Sequence, residues 1–435
     1  MIKRNENRLG YKKTKVGWIP EDWYTLRLSA LVHSDKPIVY GIVQAGPHIP
    51  DGIPYIRSTN VGPSVVPTVG LLRTSPEIAA RYARAAVMHG DVVFSLRGNI
   101  GKTSIVPEAL SGANLTQGTA RISVNNNTRA LFVHHTLASA CLRRLVHAWA
   151  KGSTFREITI DDLRKLPLPL PSLLEQEAIV GVLECWDKAI WSYEKKIEKK
   201  RNIKKGLMQH LLHGKQHLPG FSEKWKDVRL GEIVDLIKEK VGDRTAVPMS
   251  LSAGIGFVSQ AEKFGRDISG EQYRHYTLLP KGCFAYNKGN SKRYPQGCIY
   301  LLEEHDQVAV PNVFISFEMK PSVAVNDFFK QVFLANFHGR ELVRYINSGV
   351  RNDGLLNLNT ANFLKIKISL PSIREQRAIA AILSEADAEL AGLERKLAIM
   401  KGQKRFLLDN LVMGTIRLPQ FVGAEQTADT KGGTE

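Results

Sequence analysis

One segment of this chain is written twice. Leu-Pro-Ser-Leu-Leu-Glu-Gln-Glu-Ala-Ile begins at Leu170, and Leu-Pro-Ser-Ile-Arg-Glu-Gln-Arg-Ala-Ile begins at Leu370. The offset of 200 residues then holds without a gap to Phe221 and Phe421. Identical pairs run its length, among them Leu183/Leu383, Asp187/Asp387, Lys204/Lys404, Leu211/Leu411 and Gly214/Gly414. An internal repeat of this kind constrains the architecture more than any local propensity.

Each copy reads as one long helix. Ser172 and Ser372 lie three residues before Glu175 and Glu375, the spacing of a capping box, and Gly214 and Gly414 stand where a C-cap glycine belongs. Between them the seam positions step by four and three. In the first copy they are Ile179, Leu183, Trp186, Ile190, Tyr193, Ile197, Lys200, Lys204, Leu207 and Leu211. In the second they are Ile379, Leu383, Ala386, Leu390, Leu393, Leu397, Met400, Lys404, Leu407 and Leu411. That is a heptad seam, and two such seams in one register predict an intramolecular antiparallel coiled coil with a left-handed supercoil, the alternative being that each helix packs on its own neighbouring module or on another protein. A helix of this span is about 60 Å long at ~1.5 Å per residue. Lys204 and Lys404 interrupt the seam, where a cation costs stability and can fix register.

A second phrase also recurs. Trp23, Arg27 and Leu28 are matched by Trp225, Arg229 and Leu230 at an offset of 202. The chain is therefore a tandem duplication: segment, helix, segment, helix. The expected divisions are a first module over 1–165, a helix over 166–216, a second module over 217–366, a helix over 367–421 and a disordered tail over 422–435. Residues 1 to about 15 are polar and basic and suggest a mobile arm. The modules mix short β-like runs (Val92–Ser95, Ala120–Val124, Cys298–Leu302) with helical stretches at Leu131–Trp149 and Asp327–Tyr345, an α+β reading. Their interiors look unrelated to each other.

The 435 residues carry a formal net charge of +18, which favours a polyanionic partner such as nucleic acid. Cys141, Cys185, Cys283 and Cys298 form no Cys-x-x-Cys, and His134-His135 has no neighbouring ligand pattern, so no metal site is expected. Reduced thiols, the absence of a signal-peptide core and the lack of a membrane-length apolar run suggest a cytoplasmic protein.

Polar loops supply the candidate binding residues. Gly98-Asn99-Ile100-Gly101-Lys102-Thr103 fails as a phosphate-binding P-loop, because only two residues separate its glycines. It reads instead as a hairpin turn carrying Arg97, Asn99, Lys102 and Thr103. Arg and Lys can donate to guanine O6 and N7, and Asn can pair with adenine, so such a turn suits a DNA groove. Thr116, Gln117 and Arg121 form a second polar stretch, and Arg156 a third position. In the second module Asn287, Lys288, Asn290, Ser291, Lys292, Arg293 and Tyr294 interleave amides, cations and an aromatic ring, with Arg351 and Asn352 placed as Arg156 is. Each of these residues can equally belong to an ordinary solvated turn. No Gly-x-Ser-x-Gly elbow, no His-Glu-x-x-His and no Asn/Asp-Pro-Pro-Tyr/Phe tetrapeptide occurs, and the Glu-Lys-Lys runs near 194–200 lie mid-helix. The chain reads as a binder.

The doubled Leu-Pro-Ser-x-x-Glu-Gln-x-Ala-Ile opening, the Trp-x-x-x-Arg-Leu phrase and Gly90-Asp91-Val92-Val93-Phe94-Ser95-x-Arg97-Gly98-x-Ile100-Gly101 resemble the specificity subunit of type I restriction-modification enzymes. The resemblance covers almost the whole chain. It implies two target-recognition domains in tandem, separated by two long helices that pair antiparallel with pseudo-two-fold symmetry. Each domain would read one half of a split, asymmetric site in double-stranded DNA, and the helices would set the spacer. The implied partners are two methyltransferase subunits and motor-nuclease subunits, with S-adenosylmethionine, ATP and Mg²⁺ bound there and not on this chain. The competing readings are a self-contained methyltransferase or nuclease, and an adaptor that does not touch DNA.

Overall fold

A computed structural model describes residues 8–152, 156–214, 217–265, 270–289, 294–346 and 356–422. Both copies of the repeat form uninterrupted helices, Leu173–Leu211 and Ile373–Leu411, each of 39 residues. Every expected seam residue is buried or half-buried, Leu183 and Leu383 completely so. The chain divides into two units, Met1–Tyr193 with Lys396–Glu435, and Glu194–Arg395. Each unit contains one module and half of each long helix. Within each, the helices run antiparallel and are held by the same contact: Lys404 pairs with Asp187 at 2.5 Å in the first unit, and Lys204 pairs with Asp387 in the second. These pairs are related by the 200-residue repeat, so the two helices exchange roles. Lys200–Glu389 at 2.8 Å and Arg201–Glu394 at 2.5 Å flank the second pair.

The recurring Glu-Gln of the helix openings has a structural purpose. Ser172 and Ser372 do cap their helices, accepting from the backbone N–H of Glu175 and Glu375 at 3.3 and 3.4 Å. The reciprocal half of the expected capping box is not made, because each glutamate is spent elsewhere. Glu175 accepts from the Trp23 indole Nε1 at 3.0 Å and from Arg417, while Glu375 accepts from Trp225 Nε1 at 3.1 Å and faces His217 Nδ1 at 3.1 Å. The next residue ties helix to module. Gln176 accepts from the Arg129 N–H at 2.9 Å, and Gln376 from the Val325 N–H at 2.9 Å, each at the start of a module helix. A buried carboxylate or carboxamide is stable only when its hydrogen bonds are met, as here.

Within the first unit, β1 (Tyr11–Thr14) pairs with β2 (Gly17–Pro20), and Tyr11 is buried with its hydroxyl donating to the Gly414 carbonyl at 2.8 Å. That hairpin replaces the mobile arm expected from composition, since an alternating half-buried strand gains more than a solvated basic run. Residues 1–7 lie outside the described part. The recurring Trp-x-x-x-Arg-Leu phrase leads into β3 (Tyr24–Arg27), whose partner is β11 (Pro167–Leu170), so the strand entering the module after that phrase pairs with the strand that leaves it for the long helix. The main sheet has the order β4 (Val39–Tyr40), β10 (Thr119–Ile122), β7 (Val92–Ser95), β8 (Thr103–Ile105), all antiparallel. A second sheet places β5 (Ile53–Ile56) between β6 (Leu72–Thr74) and β9 (Asn114–Leu115), parallel to the latter. All four residues of β7 are buried, Val92 and Phe94 in one apolar cluster and Val93 in another, which is why that run lacks a polar alternation.

The second unit repeats this plan. Here β12 (Lys226–Arg229) pairs with β21 (Lys367–Leu370). The main sheet runs β13 (Val234–Leu236), β20 (Ile315–Met319), β17 (Phe284–Asn287), β18 (Cys298–Leu301), in the same order and all antiparallel. The second sheet contains β15 (Gly256–Ser259), β14 (Val247–Ser252), β19 (Gln307–Val310) and β16 (Thr277–Pro280), again with one parallel pair, β14 with β19. Phe284 and Tyr286 face one core and Ala285 the other, as Val92, Phe94 and Val93 do. The interiors are therefore not unrelated. They share a topology that short strands with different apolar residues conceal.

The helical stretches expected at Leu131–Trp149 and Asp327–Tyr345 are each broken once. Ser139 ends Ala130–Ala138 and caps Ala140–Trp149, and Asn336, at φ 57°, separates Asn326–Leu334 from Phe337–Leu342. The disordered tail expected over 422–435 falls almost wholly on residues 423–435, outside the described residues.

Candidate nucleic-acid interface

The turn between β7 and β8 is a tight hairpin, as its glycines suggest. Gly98 and Gly101 sit at φ 72° and 79°, where a side chain is strained, and Ser95 N–H donates to the Lys102 carbonyl at 2.9 Å. The turn carries Arg97 toward a concavity of about 890 Å³ together with Thr116, Gln117 and Arg156. Arg57, Ser58, Thr59, His147 and Glu157 complete its polar lining. With its amide oxygen and nitrogen interchanged, the assignment that leaves no donor facing a donor, the Gln117 carboxamide accepts through its oxygen from both terminal nitrogens of Arg97. Arg57 contributes a buried Nε without a partner. Arg156 is exposed and donates to the His147 carbonyl at 2.8 Å.

Other candidates sit elsewhere. Lys102 is exposed on the turn, and Asn99 Nδ2 reaches the Ser58 carbonyl at 3.4 Å. Thr103 is corrected from a candidate contact to a core residue: it is 2% exposed and its hydroxyl lies 2.9 Å from His134 Nδ1. Arg121 is corrected likewise. Its position on the central strand buries it to 7% exposure, where it donates to the Ala86 carbonyl at 2.8 Å. Both strands are covered on both faces, Thr119–Ile122 buried throughout and Thr103–Ile105 nearly so, and neither side chain reaches the surface whichever way its register points it.

In the second module the segment between β17 and β18 occupies the same place in the topology as the β7–β8 turn. The correspondence extends to a hydrogen bond: Ile158 N–H donates to the Leu96 carbonyl at 3.0 Å, and Leu356 N–H to the Lys288 carbonyl at 3.0 Å. Lys288 lines a cleft with Lys238, Lys240, Thr277, Asn312 and Thr360. Asn312 lies between β19 and β20 as Thr116 and Gln117 lie between β9 and β10, so the two clefts are equivalent positions of one fold. Asn287 is engaged internally, donating to the Leu251 carbonyl at 3.1 Å and accepting from the Gly289 N–H at 2.8 Å. Tyr294 lines a different groove, beside Lys204 and Lys330. Asn290, Ser291, Lys292, Arg293, Arg351 and Asn352 lie outside the described residues.

Sequence reasoning missed Arg57, Lys238 and Lys240. They follow strands too short for a periodic signal, and only their charge marked them. Among the described residues no group of His, Cys, Asp and Glu is arranged to hold a metal ion, no cysteine forms a disulfide, and no helix is long and apolar enough to cross a membrane.

Comparison with known proteins agrees with this architecture. The family model described as type I restriction modification DNA specificity domain matches residues 43–201 and again 222–399. The EcoBI type I restriction enzyme specificity subunit of Escherichia coli is 32% identical over 185 residues, 42% of this chain and 38% of that protein. The alignment therefore spans well under half of that relative. A putative type I restriction enzyme specificity subunit, MjaX, of Methanocaldococcus jannaschii is 25% identical over 433 residues, covering 94% of this chain and 97% of its own. Among solved structures, a chain from work on complex assembly and conformational transition of the type I R-M system superposes with a TM-score of 0.58 at 17% identity, over 92% of this chain and 99% of that one. With two modules of one topology, each matched by the same family model, the chain belongs to the type I restriction modification DNA specificity domain family.

Proposed function

We propose that this chain is the non-catalytic DNA-recognition subunit of a type I restriction-modification complex. Each module reads one half of a bipartite, asymmetric site in double-stranded DNA, and the paired helices set the number of unread base pairs between the halves. Two adenine-N6 methyltransferase subunits, and through them motor-nuclease subunits, assemble on it. S-adenosylmethionine, ATP and Mg²⁺ are bound by those partners. The observation that carries the reading is the repeated cleft: it lies at the same place in the fold of both modules, lined by Arg57, Arg97 and Arg156 in one and by Lys238, Lys240 and Lys288 in the other, cations that stand at different positions of the shared scaffold. Two copies of one scaffold with differently furnished clefts suit two different sequences. Cations at the rim hold phosphates and set register on the duplex, while amides and guanidinium groups meet base edges.

The test is binding of the full chain to duplex DNA across a salt series. Phosphate contacts release counterions, so affinity is expected to fall by about 10³-fold or more between 50 and 200 mM salt for some six contacts. Affinity for duplex DNA that is absent, or flat with salt, contradicts the reading and favours an adaptor.

A further inference from the structure

We propose that Arg97 is a base-reading residue and that the half-site read by the first module carries a guanine whose major-groove edge Arg97 contacts. This rests on the DNA-reading function proposed above and takes it to a single base. Cations meet DNA in two chemically distinct ways. A phosphate accepts from donors in many orientations, and an exposed, mobile charge suffices for it, whereas a base edge is read only by a planar donor pair held at a fixed angle.

Arg97 is held in the second way. It is half-buried at the cleft, and in the amide orientation that satisfies both groups the Gln117 carbonyl oxygen accepts from both its terminal nitrogens. Its side chain lies across Gly118: a Cβ added there would stand 3.2 Å from Nε and 3.4 Å from Cγ, so glycine is what lets the arm lie flat. The Arg97 backbone is bridged to that of Glu157. This clamp fixes the guanidinium before any ligand arrives, which lowers the entropy cost of recognition. Gln117 uses two of its five N–H groups, leaving three that only donate. Guanine is the one base presenting two adjacent acceptors, N7 and O6, in the major groove. Adenine and cytosine place an amino donor there, and thymine pairs a single acceptor with a methyl group. Lys102, five residues along the same turn, is exposed and has the character of a phosphate contact.

The experiment measures binding of the full chain to its methylation-mapped duplex site and to every single-base-pair variant of it. The parent is compared with Arg97→Lys, Arg97→Ala, Gln117→Leu and Lys102→Ala. The expected result is that both Arg97 variants lose roughly 10–100-fold of discrimination at one G·C pair of one half-site and keep it at the other positions. Gln117→Leu loses part of the same discrimination. Lys102→Ala weakens all duplexes alike and shallows the salt slope by about one. Arg97→Lys keeps the charge and its thermal transition serves as the folding control. Full discrimination by Arg97→Lys, or an even loss over all sequences in Arg97→Ala, overturns the proposal in favour of a phosphate contact while leaving the DNA-reading function standing. A parent chain without any sequence preference overturns that function and this inference together.

Discussion

At the residue scale the most telling side chains are buried polar ones. His338 is 1% exposed, neither ring nitrogen has a hydrogen-bond partner, and burial pushes its pKa down to about 3. The folded second unit therefore holds it neutral where the unfolded chain takes up a proton. Stability contributed by the neutral form is complete above about pH 6.5, the unfolded value, and falls as pH drops from there toward 3. The expected slope is about 1.4 kcal/mol per pH unit. His338→Leu should flatten this part of the acid dependence of the second unit's denaturation, and an unchanged slope counts against it. In the first unit burial likewise lowers His134 to about 4 and His135 to about 3, so some acid sensitivity remains there. None of this was legible in the sequence, where His134-His135 offered only a failed metal pattern. The duplicated Glu-Gln was visible as a motif, but its task was not. Trp23 and Trp225, which the glutamates hold, lie about 150 residues away in the chain.

The long helices were the most legible elements, since a 3.5-residue seam over many turns needs no tertiary information. The interruption at Lys204 and Lys404 could be seen, and the structure supplies what it meets. Lys204 retains 14% side-chain exposure and Asp387 39%; Gln331 adds a hydrogen bond to Asp387 at 2.8 Å. Removing the anion strands a largely buried cation, whereas replacing the cation by an apolar side chain of similar length does not. Asp387→Ala should therefore cost the second unit about 1–3 kcal/mol, and Lys204→Met should be near neutral. Denaturant unfolding checks this, and equal losses from the two would refute the asymmetry. Short elements were the opposite case. The breaks at Ser139 and Asn336, and the inward aspect of Thr103 and Arg121, depend on register and packing that no local pattern reports.

For the whole molecule, the tandem order of module and helix was written in the sequence, while the kinship of the modules was not. The strand order β4-β10-β7-β8 and its counterpart β13-β20-β17-β18 are built from different apolar residues, since a core constrains volume and burial more than identity. The proposed function follows the same division: the shared scaffold places a cleft at one topological position, and the residues lining it differ between the modules. That division is tested most directly by mapping modified adenines in cells carrying the proposed methyltransferase partners with either the parent chain or one whose residues 286–294 are exchanged for another sequence. The account predicts that one half of the methylated site changes while the other half and the spacer stay as they were. A change in both halves, or in neither, would contradict it.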